Sequence, residues 1–439
     1  MAGLWSKARA MAEQAPPERN RYVDFLRAFS ILAVVIGHWL VAAPYVDESG
    51  AVQGGHLLGI LPWSQWLTWG FQVMPIFFLV GGYSNGVSWS ATRAKQGHYS
   101  DWFASRVQRL INPVFPVLLV WGVIAFFGTQ LGIDRAIVRM ATELALIPVW
   151  FLAVYLLVTA LAPLTYRFWE WTGLWSFAWL AACAILVDIL TLFYHLPYVN
   201  FLNFLFVWVG IHQLGYAWRA GKFEGRALLW FIGGLTVLCA LVGLGPYPVA
   251  MIGVPGAEMT NSMPPTLALM ALGVMQTGLA LSLEKPARRM LDNIRIWTAV
   301  VLMNGMIMSI YLWHLTAFVL VMIAAWLLGG VGLNVTLGTS GWWLARPIWF
   351  ALYVALTLPL IMLFVRFERG SGPAKRDYPV PHWRLVLGML LICTGLAMTA
   401  AISIASPLGV TGVRLWVVGL PFIGAALVGF GPIYRLVKR

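Results

Sequence analysis

Apolar positions along this chain gather into runs of about 20 residues, separated by short polar or basic stretches. A helix needs that length to cross the hydrocarbon of a bilayer. Such runs stand at about 24–44, 65–85, 113–131, 146–163, 174–193, 200–218, 227–245, 265–283, 298–328, 345–365, 385–405 and 414–434. They predict an all-α polytopic membrane protein with about twelve transmembrane helices. The ninth run is long enough to tilt or to break at Asn304-Gly305, and the pattern does not separate the two. The longest polar stretch, RFERGSGPAKRDYPVPHWR at about 366–384, reads as a Pro/Gly-rich linker. The expected division is therefore an N-terminal segment (1–23), a ten-helix body (24–366), a linker (367–384) and a final helix pair with its tail (385–439). That pair carries almost no polar residues within its spans, which suits packing better than catalysis.

Composition supports this reading. Of 439 residues, 60% are hydrophobic and 10% charged, and the mean hydropathy is +0.80. A soluble domain of this length needs far more charged surface, so the apolar excess must face lipid. The 24 Trp suit a protein with two membrane interfaces. The first 22 residues contain no apolar core of a secretory signal, so the first helix itself is expected to direct insertion.

A net charge of +13 would suit a nucleic-acid partner, but its distribution argues otherwise. Of the 29 Lys and Arg, 24 fall on one alternate set of loops and termini, four on the other, and Arg27 lies within the first run. This asymmetry predicts that both termini are cytoplasmic and that the basic charge serves insertion. Cys183, Cys239 and Cys393 sit inside apolar runs without metal-ligand spacing, so neither a disulfide framework nor a metal site is expected.

Ionisable groups inside spans are expensive and become functional candidates. The first run holds Asp24, Arg27 and His38. Eleven residues separate Arg27 from His38, close to three turns, which puts them on one face about 16 Å apart. Arg27 read alone is as well explained as a snorkelling anchor, and Asp24 as a cap or its ion-pair partner; His38 is harder to dismiss, although an imidazole can simply hydrogen-bond a neighbouring helix. The second run ends in Gly81-Gly82-Tyr83-Ser84-Asn85, small residues for close approach followed by polar groups. Arg106 and Arg109, three apart, share a helix face that suits a phosphate clamp, although ordinary inward positive charge explains them too. Trp150 and Tyr155 read as belt or core aromatics. Asp188 is a carboxylate without an evident partner. Tyr311 and His314 lie in the polar part of the ninth run, where an interhelical hydrogen bond is the simpler account of the histidine.

These motifs together resemble the membrane acyltransferase-3 family. Its first-helix signature, D-x-L-R and then a histidine eleven residues after the arginine, is similar to Asp24-Phe25-Leu26-Arg27 with His38. Its F-F-x-x-S-G-F is similar to Phe77 to Tyr83, with Gly81 in place of Ser and Tyr83 in place of Phe. The arginine pair before a proline resembles Arg106 to Pro113, displaced by one place. Trp150 begins a W-F-L motif, and Tyr311 to His314 a Y-L-x-H motif. The resemblance covers about 20–366.

The resemblance implies transfer of an acyl group, commonly acetyl, from cytoplasmic acyl-CoA to a hydroxyl of a sugar- or lipid-linked acceptor at the outer face. That would place the protein in a bacterial inner membrane, with acyl-CoA as a substrate and no tightly bound cofactor. On this view Arg106, Arg109 and Arg27 hold the donor phosphates at the entrance, near Tyr83 and Ser84. His38 acts as general base, or carries the acyl group itself. Asp24 orients Arg27, while His314, Tyr311 and Trp150 form a second tier. Two other classes compete. A glycolipid transporter or flippase would use His38 and Asp188 as proton-relay groups, but would be expected to show internal repeats, which the chain lacks. A scaffold would leave the Arg27–His38 pair unexplained.

Overall fold

The computed structural model describes residues 2–47, 50, 52–368 and 380–437. Most of the linker expected at 367–384 falls on 369–379 and lies outside the described residues. In chain order the helices are α1 (Ala2–Glu13), α2 (Arg21–Val41), α3 (Met74–Ala94), α4 (Tyr99–Ile111), α5 (Val114–Gln130), α6 (Arg135–Leu146), α7 (Val149–Thr172), α8 (Trp175–Leu192) and α9 (Asn203–Arg219). They continue with α10 (Ala227–Leu244), α11 (Leu267–Ser282), α12 (Glu284–Leu291), α13 (Ile294–Asn304), α14 (Ile307–Leu327), α15 (Ser340–Glu368), α16 (His382–Ile402), α17 (Leu415–Val428) and α18 (Gly431–Val437). The only sheet among the described residues is a hairpin of two-residue strands, β1 (Tyr45–Val46) and β2 (Val52–Gln53), antiparallel with Tyr45 opposite Gln53.

Each of the twelve apolar runs overlaps a helix among the described residues. Eight described helical segments are long and apolar enough to cross a membrane, or nine if the bent pair α11 and α12 forms one span. Two boundaries differ from expectation. The ninth run breaks rather than tilts: α13 ends at Asn304 and α14 starts at Ile307. The second run, expected at 65–85, becomes a helix only at Met74 and continues to Ala94. Before it, Pro62–Leu67 forms a 3-10 segment and Thr68–Phe71 a single turn. Apolarity alone cannot distinguish such irregular backbone from helix. Its polar groups are met by protein: Gln276 Nε2 donates to the carbonyls of Trp69 and Gln72 at 3.0 Å each, and Gln72 Nε2 to that of Met251 at 3.3 Å. Irregular backbone is tolerated at membrane depth only when it is satisfied in this way.

The chain forms two compact units. The first comprises Met1–Ala43, Gly54–Ser90 and Leu161–Gly305, and the second Pro44–Gln53, Ala91–Ala160 and Met306–Arg439. In the first, α3 crosses α9 at Gly82 and Gly215. A Cβ at Gly82 would overlap the carbonyl oxygen of His212, and one at Gly215 the carbonyl of Leu79. Only glycine permits backbones to meet so closely. The amphipathic α1 lies against α13, with Trp297 Nε1 donating to the Ala12 carbonyl at 3.1 Å. In the second unit, α16 and α17 pack through Gly388 and Gly424, and Phe422 meets Phe115 of α5 with ring centroids 4.5 Å apart. Ala125, Val138, Ala405 and Val413 form a buried cluster there. The final helix pair therefore has a packing seat, as its apolar sequence suggests.

Candidate active site

The first unit assembles its candidate site at the start of α2. Asn20 caps this helix, its side-chain oxygen accepting from the amides of Tyr22 at 3.1 Å and Val23 at 3.4 Å. That frees Asp24 from the capping role open to it in the sequence. Asp24, 6% exposed, accepts instead from Nε of Arg19 at 2.6 Å, while Arg27 Nη1 stands 3.6 Å from its other oxygen. Arg27 also donates to Ser84 Oγ at 3.2 Å. Tyr83 next to it accepts from Asn20 Nδ2 at 3.1 Å, and its ring meets Trp218 at 4.6 Å. The break after α13 closes this cluster, because Asn304 Nδ2 donates to the Asp24 carbonyl at 2.9 Å. Arg27, Asp24, Tyr83 and Ser84, read from separate motifs, are thus brought together.

From this cluster α2 runs unbroken past His38, so the eleven-residue spacing is realised on one helix. The far end of α2 adds a residue that sequence reasoning missed. Ala42 forms an antiparallel bridge with His56, and Ala43 N donates to the Gly55 carbonyl at 3.0 Å. His56 therefore lies beside the residue one helical turn beyond His38. Its Nδ1 is buried without a hydrogen-bond partner, and burial holds its imidazole below the usual histidine range. Only the bridge brings it there, and the sequence carries no sign of that pairing.

The second unit holds the other candidates. Arg106 and Arg109 occupy α4, as their spacing predicts. Arg106 folds back over the Trp102 ring, 4.1 Å from its centroid, and donates to the Trp102 carbonyl at 3.1 Å, whereas Arg109 is exposed. His314 is wholly buried on α14, with Nδ1 2.7 Å from the Tyr311 carbonyl. The Tyr311 hydroxyl donates to the Pro148 carbonyl at 2.8 Å, and Trp150, two residues further on, is half-buried. A signal overlooked in the sequence is Glu368, whose carboxylate receives the amides of Met308 and Ser309 at 3.0 and 2.9 Å and so caps α14.

A family model described as an acyltransferase domain matches residues 20–366. The chain belongs to this acyltransferase family. No curated protein and no solved structure matches the chain. The match takes in Asp24, Arg27, His38, the α3 glycines, the arginine pair and His314, and ends before α16 and α17. Acyltransferase membership together with many long apolar helices makes the chain an integral membrane acyltransferase.

Asp188, offered as a relay group under the transporter reading, is engaged structurally. It accepts from Asn203 Nδ2 at 2.7 Å, Tyr247 OH at 2.7 Å and Leu267 N at 2.8 Å. These three donors tie the end of α8 to the starts of α9 and α11 and to the segment that follows α10. Beside it lies an apolar cleft of about 460 Å³ lined by Ile185, Ile189, Val237, Leu241 and Tyr247.

Proposed function

We propose that the protein transfers an acyl group, acetyl in the simplest case, from cytoplasmic acyl-CoA to a hydroxyl of an envelope glycan, glycolipid or similar acceptor at the outer face of a bacterial inner membrane. The observation that carries this reading is the arrangement of Arg27 and His38 on one unbroken helix within the matched family domain. A long thioester arm anchored by its phosphates near Arg27 would present its carbonyl about three turns along the same face, at His38. Arg106 and Arg109 supply further cationic groups for the donor, and no tightly bound cofactor is invoked.

In the proposed step His38 accepts the acceptor hydroxyl proton as its oxygen attacks the thioester carbonyl. The carbon–sulfur bond breaks, and the leaving thiolate takes up the proton from the imidazolium. An ester and free CoA thiol result, with no oxidant or reductant required. Transfer through an acyl-imidazole on His38 would give the same products. Asp24 orients Arg27, and Tyr83 and Ser84 complete the donor entrance. His314, Tyr311 and Trp150 support the acceptor.

The test compares wild-type, His38→Gln and His314→Gln protein at matched abundance, following labelled acetyl from acetyl-CoA in membranes. A packing histidine tolerates an amide, since interhelical hydrogen bonds average about 0.6 kcal/mol. A general base does not, and its loss lowers the rate by about two to four orders of magnitude. His38→Gln is expected near background and His314→Gln impaired but measurable. Near-normal transfer by His38→Gln would move the general base to His314.

A further inference from the structure

Arg19 is the tightest partner of Asp24, and the notable feature is what it leaves unused. Nε makes the 2.6 Å bond to Asp24, and the guanidinium carbon stands 5.7 Å from the Trp297 ring centroid. The two terminal nitrogens of Arg19 have no hydrogen-bond acceptor among the described residues. Arg27 approaches the other Asp24 oxygen with Nη1 only at 3.6 Å and reaches Ser84 with Nη2. A third guanidinium, that of Arg21, lies 5.3 Å from the same Trp297 ring. One carboxylate therefore serves two cations, and the cluster keeps a positive excess.

Trp297 is wholly buried and fixed by its bond to Ala12, so the indole restricts the orientation of Arg19. A guanidinium fork held in one orientation, with its terminal donors unoccupied, is suited to bidentate contact with a phosphate. The side chains of Arg19 and Arg27 are 44% and 32% exposed, against 9% for Asp24, so the cations are uncovered by protein while their counter-ion is covered.

We propose that Arg19, Arg27 and Ser84 form a phosphoester seat, in which Asp24 holds the two guanidinium groups in register until the anion arrives. The seat rests on the acyl-CoA reading for its ligand, and Arg19 becomes a donor-binding residue outside every motif singled out in the sequence. Asp24 is then a competitor of the ligand as well as an organiser. As organiser Asp24 favours anion binding and as competitor it opposes it; with competition dominant, removing a cation weakens binding and neutralising the carboxylate strengthens it.

The experiment uses the full-length protein in phosphatidylcholine nanodiscs, with adenosine 3′,5′-bisphosphate as probe in equilibrium dialysis. Wild type is expected to bind, Arg19→Ala to bind about tenfold more weakly or worse, and Arg19→Lys to fall between them. Raising the salt concentration should narrow the gap between wild type and Arg19→Ala, because the lost contact is electrostatic and partly exposed. Asp24→Asn should bind more tightly than wild type, since it removes the competing anion and keeps an amide oxygen for Arg19 Nε, and affinity at or below that of wild type would overturn the seat. A merely structural ion pair would make Asp24→Asn and Arg19→Ala lose affinity alike, and that result would overturn the seat. Unchanged affinity in Arg19→Ala while wild type binds would overturn it too, leaving the acyl-CoA reading intact. A second arm measures enrichment of phosphatidic acid around the protein in mixed nanodiscs. Enrichment lost in Arg19→Ala, with no bisphosphate binding by wild type, would keep the phosphate seat but give it to lipid and remove the acyl-CoA reading. Neither binding nor enrichment by wild type would end both.

Discussion

Arg106 and Arg109 are three residues apart on α4, yet their guanidinium groups differ in freedom. Arg106 is laid over Trp102 and bonded to its carbonyl, whereas Arg109 is exposed. If both hold donor phosphate, Arg106 is preorganised and Arg109 must be ordered on binding. Each Ala variant is expected to raise the apparent KM for acyl-CoA by about tenfold without loss of folded protein. Lys at 106 should restore little, because an ammonium cannot reproduce the stacked planar fork. Lys at 109 should restore more. Kinetics over a range of acetyl-CoA concentrations separate these cases, and unchanged KM in both Ala variants would return the pair to ordinary inward charge. Which cation meets Asp24 was not legible at this scale. Local spacing favours Arg27, three residues away, but Arg19 approaches from the segment before the helix cap, where only tertiary structure fixes the chain. His56 was hidden for the same reason, since a backbone bridge leaves no mark on composition or period.

The element scale was far more legible, because apolarity over 20 residues is the property the bilayer itself selects. Each of the twelve runs contains helix, and eight or nine helical segments are long and apolar enough to cross a membrane. The losses came where apolar residues occupy irregular backbone: Trp63, Trp66 and Leu67 lie in the 3-10 segment before α3 and made the second span look nine residues too early. Glycine pairs show a related gap. Gly81-Gly82 reads as weakly informative in the sequence, while the structure shows the α3 and α9 backbones crossing at Gly82 and Gly215. Gly82→Ala must push the helices apart and is expected to destabilise by about 1–3 kcal/mol or more. Gly122→Ala, which meets nothing within 4 Å on α5, should stay within about 0.5 kcal/mol of wild type. Thermal melts of the purified variants test the contrast, and equal melting temperatures would mean that the crossing is looser than described.

For the whole molecule, the charge asymmetry of the loops predicts one orientation, with both termini cytoplasmic. In a background lacking the three native cysteines, Gly50→Cys should react with an impermeant thiol reagent added outside cells. Lys222→Cys, exposed on the other set of loops, should react only after permeabilisation. The opposite labelling pattern would reverse the proposed direction of acyl transfer. Orientation leaves a mark in the sequence because insertion responds to loop charge, and the labelling pattern tests that mark. The active constellation cannot be read so completely, since it depends on how helices distant in sequence present their ends.

The final helix pair, seated on α5 through Phe115 and Phe422, lies beyond the residues matched by the family domain. In water, stripping a packed helical hairpin from its seat would bare apolar surface and bring on aggregation. Within a bilayer the vacated surface is simply rewetted by lipid tails, which are as apolar as the side chains they replace, so only close fit and a few hydrogen bonds are forfeited. Loss of such a pair would therefore cost the helices it leaves behind far less than the loss of a packed hairpin costs a domain in water.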